Sequence, residues 1–294
     1  MTILITGGSG MLGKHLNQLF PEAFCCSSHD ADLRDLNQVD ALFKHHKPKL
    51  VIHAAARVGG IQDNIQYPAD YFDDNILINT NVVRMCHRYA VHRLIGILST
   101  CIYPDNVDHY PMGIGSIFSG PPTPTNFSYA YSKRALAVQI DAYNQQFGYQ
   151  WNYVIPCNLF SELDNFSNQS KMHFITALLK KIKTSESNLN LLGTGKPLRQ
   201  FIYAGDCAKV IQLMITNNIT EHLNIAPKYN YSIHEMAQMA LDAVGKSLPI
   251  VYSNPELDGQ YRKDVDPARL NELFPSFEFS DFKAMLKVVY DKIS

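Results

Sequence analysis

The sequence predicts an α/β protein, a doubly wound parallel sheet followed by a smaller mixed α/β C-terminal domain. Three observations carry this. Short apolar runs alternate with helical stretches from the first residues to about Pro156. The first run empties into a glycine-rich turn, Gly7 to Gly13. A late apolar run at 223–226 has the length of a strand returning to the same sheet. Alternation of this kind buries a parallel sheet between two layers of helices.

The elements follow in order. Residues 2–6 form a short apolar run typical of a buried parallel strand. In 11–20, Met11, Leu12, Leu16, Leu19 and Phe20 share one helical face. A second strand is expected around 23–26 after Pro21, a helix over 35–46, and a third strand over 50–54 after Pro48. Residues 73–89 read as a long helix, 93–99 as a fourth strand, 128–147 as another long helix and 151–156 as a further strand. Beyond Asn158 the alternation weakens into loops rich in Asn, Ser and Gly, with a helix near 173–183. This divides the chain into a dinucleotide-binding domain, 1–160 plus about 201–226, and a substrate-binding domain, about 161–200 and 227–294.

Composition narrows the class. The chain has 294 residues, of which 46% are hydrophobic, so a large core is within reach. A formal net charge of −1 gives no electrostatic reason to bind nucleic acid or an anionic membrane. The six cysteines show neither metal-ligand spacing nor a disulfide framework, so no metal is expected and a reducing compartment is. With no signal-like leader and no membrane-length apolar run, a cytosolic protein is expected.

The glycine turn is the first functional signal. Gly7, Gly10 and Gly13 open a helix directly after the first strand. A tight turn, close approach of a pyrophosphate and helix–strand packing each call for one glycine, and the N–H groups around Met11 offer an anion site. The fold is thus of Rossmann type, and a dinucleotide should lie on this turn. The second strand ends at Ser27 and Ser28 with no acid at its tip, which favours a 2′-phosphate and hence NADP. Lys14 or His29 could add positive charge there. Asp32 and Leu33 are placed to hold the adenine edge, and Ala54 and Ala55 give the cofactor a flat wall at the end of the third strand.

Tyr129 is the one tyrosine in the chain with a lysine, Lys133, four positions on. On a helix both lie on one face, where an ammonium can lower a phenol's pKa and let it pass a proton to a carbonyl oxygen. Ser99 closes the fourth strand, at the edge where such sheets bind ligands.

Glycine turn, Ser99 and the Tyr129/Lys133 pair together resemble the extended short-chain dehydrogenase/reductase family. Further stretches resemble its GDP-L-fucose synthase branch: Val58 to Ile61, Ser99 to Pro104, Gly120 to Pro122, Pro156 to Leu159, Asp164 to Phe166, Gly193 to Phe201, and Asp258 to Lys263. The resemblance implies NADPH-dependent 3,5-epimerisation and 4-reduction of a GDP-4-keto-6-deoxy-hexose. It makes Cys101 the base and His173 the acid, with Ser99, Tyr129 and Lys133 serving the reduction. It places Pro156, Leu159 and His173 on the cofactor and Asn158, Lys181, Arg199 and Lys263 on the GDP-sugar. It also implies a homodimer built on the two long helices. One departure stands out: where the family continues Gly-Pro after Phe160, this chain has Ser161 and Glu162. Two alternatives remain: a 4-reductase or epimerase/reductase of another nucleotide-linked keto-deoxy sugar, and an inactive dinucleotide-sensing subunit. The second would be expected to have lost Ser99, Tyr129 or Lys133.

Overall fold

The computed structural model describes residues 1–166 and 172–293. The glycine turn separates β1 (Ile3–Thr6) from α1 (Met11–Leu19), which leads through β2 (Phe24–Cys26), α2 (Leu36–His46) and β3 (Leu50–His53). A short α3 (Ile61–Gln66) and the long α4 (Pro68–Arg88) precede β4 (Arg93–Ile97), and α5 (Phe127–Phe147) precedes β5 (Asn152–Pro156). Then come β6 (Asn158–Phe160), α6 (Phe174–Thr184), β7 (Leu189–Leu192), β8 (Leu198–Arg199), β9 (Phe201–Tyr203), α7 (Ala204–Thr216) and β10 (Leu223–Ile225). The chain ends with β11 (Tyr231–Ser232), α8 (Ile233–Ala243), β12 (Ile250–Ser253), β13 (Arg262–Lys263), α9 (Ala268–Leu273) and α10 (Phe282–Lys292).

The main sheet has the order β10-β5-β4-β3-β1-β2, and every pairing in it is parallel. Strands β3, β4 and β5 are buried along their whole length, which is why their sequences are apolar runs rather than alternating ones. The strand expected at 223–226 does return, pairing Leu223 with Val154 and Ile225 with Pro156.

Helix α4 begins at Pro68 rather than at Asp73. Proline is pre-set for a first helical position, where its missing N–H costs nothing. Helix α5 ends on Gly148 in the left-handed region, φ 72°. Helix α3 was not foreseen; it is one short element after Gly60 with no sequence signal of its own.

A second apolar core forms away from the main sheet. Helices α6, α8 and α10 contribute Leu178, Leu179, Ile182, Met236, Leu241, Leu286 and Val289, packed beside the parallel pair β7–β12. A small sheet, β11-β8-β13, completes this part, and the pair β6–β9 lies just beyond β5. Among the described residues, no helix is long and apolar enough to cross a membrane.

Candidate active site

One cavity of about 920 Å³ runs along the C-terminal ends of β1 to β5. This is where an open α/β sheet binds ligands, next to the point where strand order reverses. Its first wall is the glycine turn, with Gly7, Gly10, Met11 and Gly13. Gly7 has φ 74°, and a Cβ there would come within 2.8 Å of Ala55 N. A Cβ on Gly13 would sit 2.1 Å from Gly7 O, so only glycine lets α1 pack this closely on the turn. No side chain caps α1 at Gly10, which leaves its first N–H groups for an anion. The turn fits a dinucleotide pyrophosphate.

Ser27, Asp32, Leu33, Ala54 and Ala55 line the next stretch, as expected. Two details add to the sequence reading. The Ser27 hydroxyl donates to Asp30 at 2.7 Å, and the Asp32 carboxylate takes the Arg34 guanidinium at 2.7 Å. Asp32 thus stands at the cavity wall paired with Arg34. Lys14 turns away to donate to Leu163 O at 3.0 Å, and it does not line the cavity. At this end of the cavity the lining cations are Arg34 and Arg57, both paired with Asp74. Sequence spacing could not reveal them, because Asp74 lies on α4.

The reacting groups come from strand ends and one helix. Ser99 follows β4 and accepts from Cys101 N at 3.3 Å, opening a 3₁₀ turn, Thr100–Ile102. Arg134 ties that turn to α5, donating to Ile102 O at 2.6 Å and Gly120 O at 2.8 Å. Helix α5 is held in turn by a buried relay from β1. Asn79 Nδ2 donates to Ser132 O, so its Oδ1 must accept from His53 Nε2 and Thr6 must donate to His53 Nδ1. Burial keeps His53 neutral, pushing its pKa down to about 3.

Tyr129, Lys133, Ser99 and Cys101 all line the cavity. Burial pushes the Tyr129 phenol up, and Cys101 and Tyr71 push the same way. This differs from the expected lowering by Lys133. That ammonium donates to Ile97 O at 2.9 Å, and burial alone lowers its pKa to about 8. A phenol held protonated at neutral pH is the form a proton donor needs.

Cys101 goes the other way. Burial opposes its ionisation, but the Lys263 ammonium, with Ser99 and Asn126 hydrogen bonds, outweighs it and brings the thiol below its ordinary value. Lys263 Nζ lies 3.7 Å from Cys101 Sγ. Lys263 was expected only on the substrate; its place beside the sulfur was not foreseen. In β13 it pairs with Arg199 of β8, which is close enough to Cys101 to feel its charge.

His173 caps the start of α6 and lines the cavity with Pro156, Asn158 and Leu159. Its Nδ1 lies 3.1 Å from the Asp164 carboxylate. Asn158 donates to Gln200 O at 2.9 Å. Of the residues expected on the GDP-sugar, Asn158 lines the cavity, whereas Arg199, Lys263 and Lys181 do not; Lys181 is exposed and donates to Asn190 O at 3.2 Å. The last turn of α6 carries it towards β7 instead.

A dinucleotide cradle and the Ser99, Tyr129 and Lys133 side chains lining one cavity mark a nucleotide-cofactor enzyme. Residues 3–226 match the NAD dependent epimerase/dehydratase family, and the chain belongs to that family. It is 35% identical over 300 residues to GDP-L-fucose synthase of Dictyostelium discoideum, covering 97% of this chain and 93% of that one. It is 31% identical to GDP-L-colitose synthase of Yersinia pseudotuberculosis, covering 92% and 91%. Among solved structures it is similar to a GDP-L-fucose synthetase from Naegleria fowleri bound to NADP, with a TM-score of 0.89, 31% identity, and coverage of 99% of this chain and 92% of that one.

Proposed function

We propose that this chain converts GDP-4-keto-6-deoxy-D-mannose to GDP-L-fucose by 3,5-epimerisation and NADPH-dependent 4-reduction. The observation that carries the proposal is that Ser99, Cys101, Tyr129, Lys133 and His173 line one cavity with the glycine turn, with Lys263 Nζ 3.7 Å from Cys101 Sγ. A ketone at C4 acidifies the hydrogens at C3 and C5. Cys101, held towards thiolate by Lys263, removes them, and His173 returns a proton on the opposite face. Ser99 and Tyr129 hold the C4 oxygen meanwhile. NADPH, when bound, supplies the hydride for C4. Tyr129 then gives its proton to the oxygen, and Lys133 helps hold the cofactor ribose.

The same reading sets the pyrophosphate of the cofactor on Gly7, Gly10 and Met11, and that of the sugar nucleotide near Arg199 and Lys263. It assigns 1–160 and about 201–226 to the cofactor and about 161–200 and 227–294 to the substrate. Six free cysteines support a cytosolic setting. Exposed apolar side chains on α4 and α5, among them Phe72, Leu77, Phe127, Tyr131 and Val138, support a homodimer through these helices. Sedimentation at micromolar concentration tests that, and a monomer would refute it.

The decisive assay mixes enzyme, NADPH and the keto sugar and identifies the product by NMR. GDP-L-fucose is expected. An uninverted 4-alcohol would remove the epimerase claim, and no NADPH consumption would remove the reductase claim. The similarity to a GDP-L-colitose synthase favours one second reading, epimerisation and reduction of the keto sugar that leads to GDP-L-colitose. Comparing kcat/KM for the two sugars separates them.

A further inference from the structure

Asp164 stands directly behind His173. It follows β6 in a loop pinned to α1, where His15 Nε2 and Ser161 Oγ are 2.7 Å apart and both residues are buried. Asp164 N then donates to Ser161 O. The Asp164 side chain is 5% exposed, whereas that of His173 is 42% exposed. Each carboxylate oxygen is fully engaged. Oδ1 accepts from Asn165 N at 2.9 Å and faces His173 Nδ1 at 3.1 Å. Oδ2 accepts from the Thr176 hydroxyl at 2.6 Å and faces the same nitrogen at 3.1 Å. Burial opposes the charge on Asp164, but His173 and these hydrogen bonds hold the carboxyl below its ordinary value.

A carboxylate accepts and cannot donate, so Nδ1 of His173 carries the proton that joins them. The other ring nitrogen, Nε2, is on the edge turned away from Asp164, and the ring lines the cavity. From this geometry we infer that Asp164 is a positioning residue that makes Nε2 of His173 the proton-delivering atom in the inversion of the sugar carbons. The inference rests on the epimerase/reductase reading and adds a residue to it.

The step balances without a further reagent. The C–H bond beside the ketone breaks, its proton goes to the Cys101 sulfur, and its electron pair moves onto the C4 oxygen as an enolate. The Nε2–H bond of the imidazolium then breaks. Its proton forms the new C–H bond on the opposite face as the pair returns from the oxygen. The neutral ring left behind keeps Nδ1–H on Asp164. Water returns a proton to Nε2 and takes one from the thiol. Asp164 thus fixes ring orientation and tautomer, as the carboxylate of a catalytic triad does.

The test uses the full chain with Asp164→Asn and Asp164→Glu. An asparagine can present either its oxygen or its NH₂ group to Nδ1, so control of the tautomer is lost. In D₂O, Cys101 can remove a proton and return a deuteron to the same face without His173. Asp164→Asn should therefore lower inversion about 10- to 100-fold and leave deuterium uptake with retention within about threefold. Asp164→Glu should restore part of the inversion. In wild-type protein, nitrogen NMR should show the neutral His173 ring protonated at Nδ1. That measurement needs no variant, so it decides even if Asp164→Asn fails to fold. Uptake and inversion falling together, inversion unchanged, or a wild-type ring protonated at Nε2 would each overturn the inference. Wild-type enzyme that takes up no deuterium and consumes no NADPH refutes the epimerase/reductase reading instead.

Discussion

Lys263 and Lys133 are both buried ammonium groups beside an ionisable partner, and they do different work. Lys263 directs its charge at Cys101 across 3.7 Å, and the thiol moves down. Lys133 lies one helical turn from Tyr129 but donates to a backbone carbonyl, and the phenol moves up. The nearest lysine in sequence leaves its neighbour protonated; the distant one eases its neighbour's ionisation. What matters is where the ammonium points, not how close it stands in the chain. That difference lets one cavity hold a proton acceptor and a proton donor at the same pH.

The largest test of this contrast exchanges the two partners. Tyr129→Phe should lower NADPH consumption about a thousandfold while deuterium uptake at the carbons flanking the ketone persists. Cys101→Ala should abolish that uptake. If both variants lose both activities equally, the division of labour is wrong.

Lys133→Met should inactivate reduction yet stabilise the fold. Burial lowers the Lys133 pKa to about 8, so in the folded state the charged form is disfavoured. That cost is fully present below pH about 8 and fades as pH rises towards the unfolded value near 10.4. The gain is on the order of 2–3 kcal/mol at neutral pH, read as a higher Tm that converges with wild type near pH 10. A lower Tm at pH 7 would contradict it.

Lys263→Met tests the other corner. Losing the ammonium raises the Cys101 pKa, so the rising limb of deuterium uptake against pH moves up. Uptake at neutral pH should fall roughly tenfold and recover in alkali. Iodoacetamide alkylation of Cys101 should shift in parallel; an unshifted profile would show that Lys263 does not set this ionisation. The smallest effect is expected at Lys181→Ala, below about twofold in KM, because that side chain is exposed and donates to Asn190 O.

Much of this site was legible because its parts are local. Gly7 to Gly13, Ser27, Ala54, Ser99 and Pro156 each stand at or just past a strand end, and apolar runs reveal strand ends. The α5 pair was legible through helical spacing. Lys263 could be placed on the substrate side but not beside Cys101, since 162 residues separate them. The Arg34–Asp74 pair likewise needs the packing of α4 on α2 before it exists. Lys181 was legible only through family position, and helical phase sets its side chain against Asn190 O.

The pairing of β10 with β5 has a consequence for how the chain is made. Strand β5 is complete at Pro156, but its outer neighbour begins only at Leu223. At about 5–20 residues per second of synthesis, that edge waits on the order of 3–15 s. During that interval Tyr153, Val154 and Ile155, all buried in the finished sheet, stand as an apolar strand with open hydrogen-bonding groups. Yield in a heterologous host should therefore depend on what shelters the nascent chain between these two strands, more than on the stability of the finished enzyme.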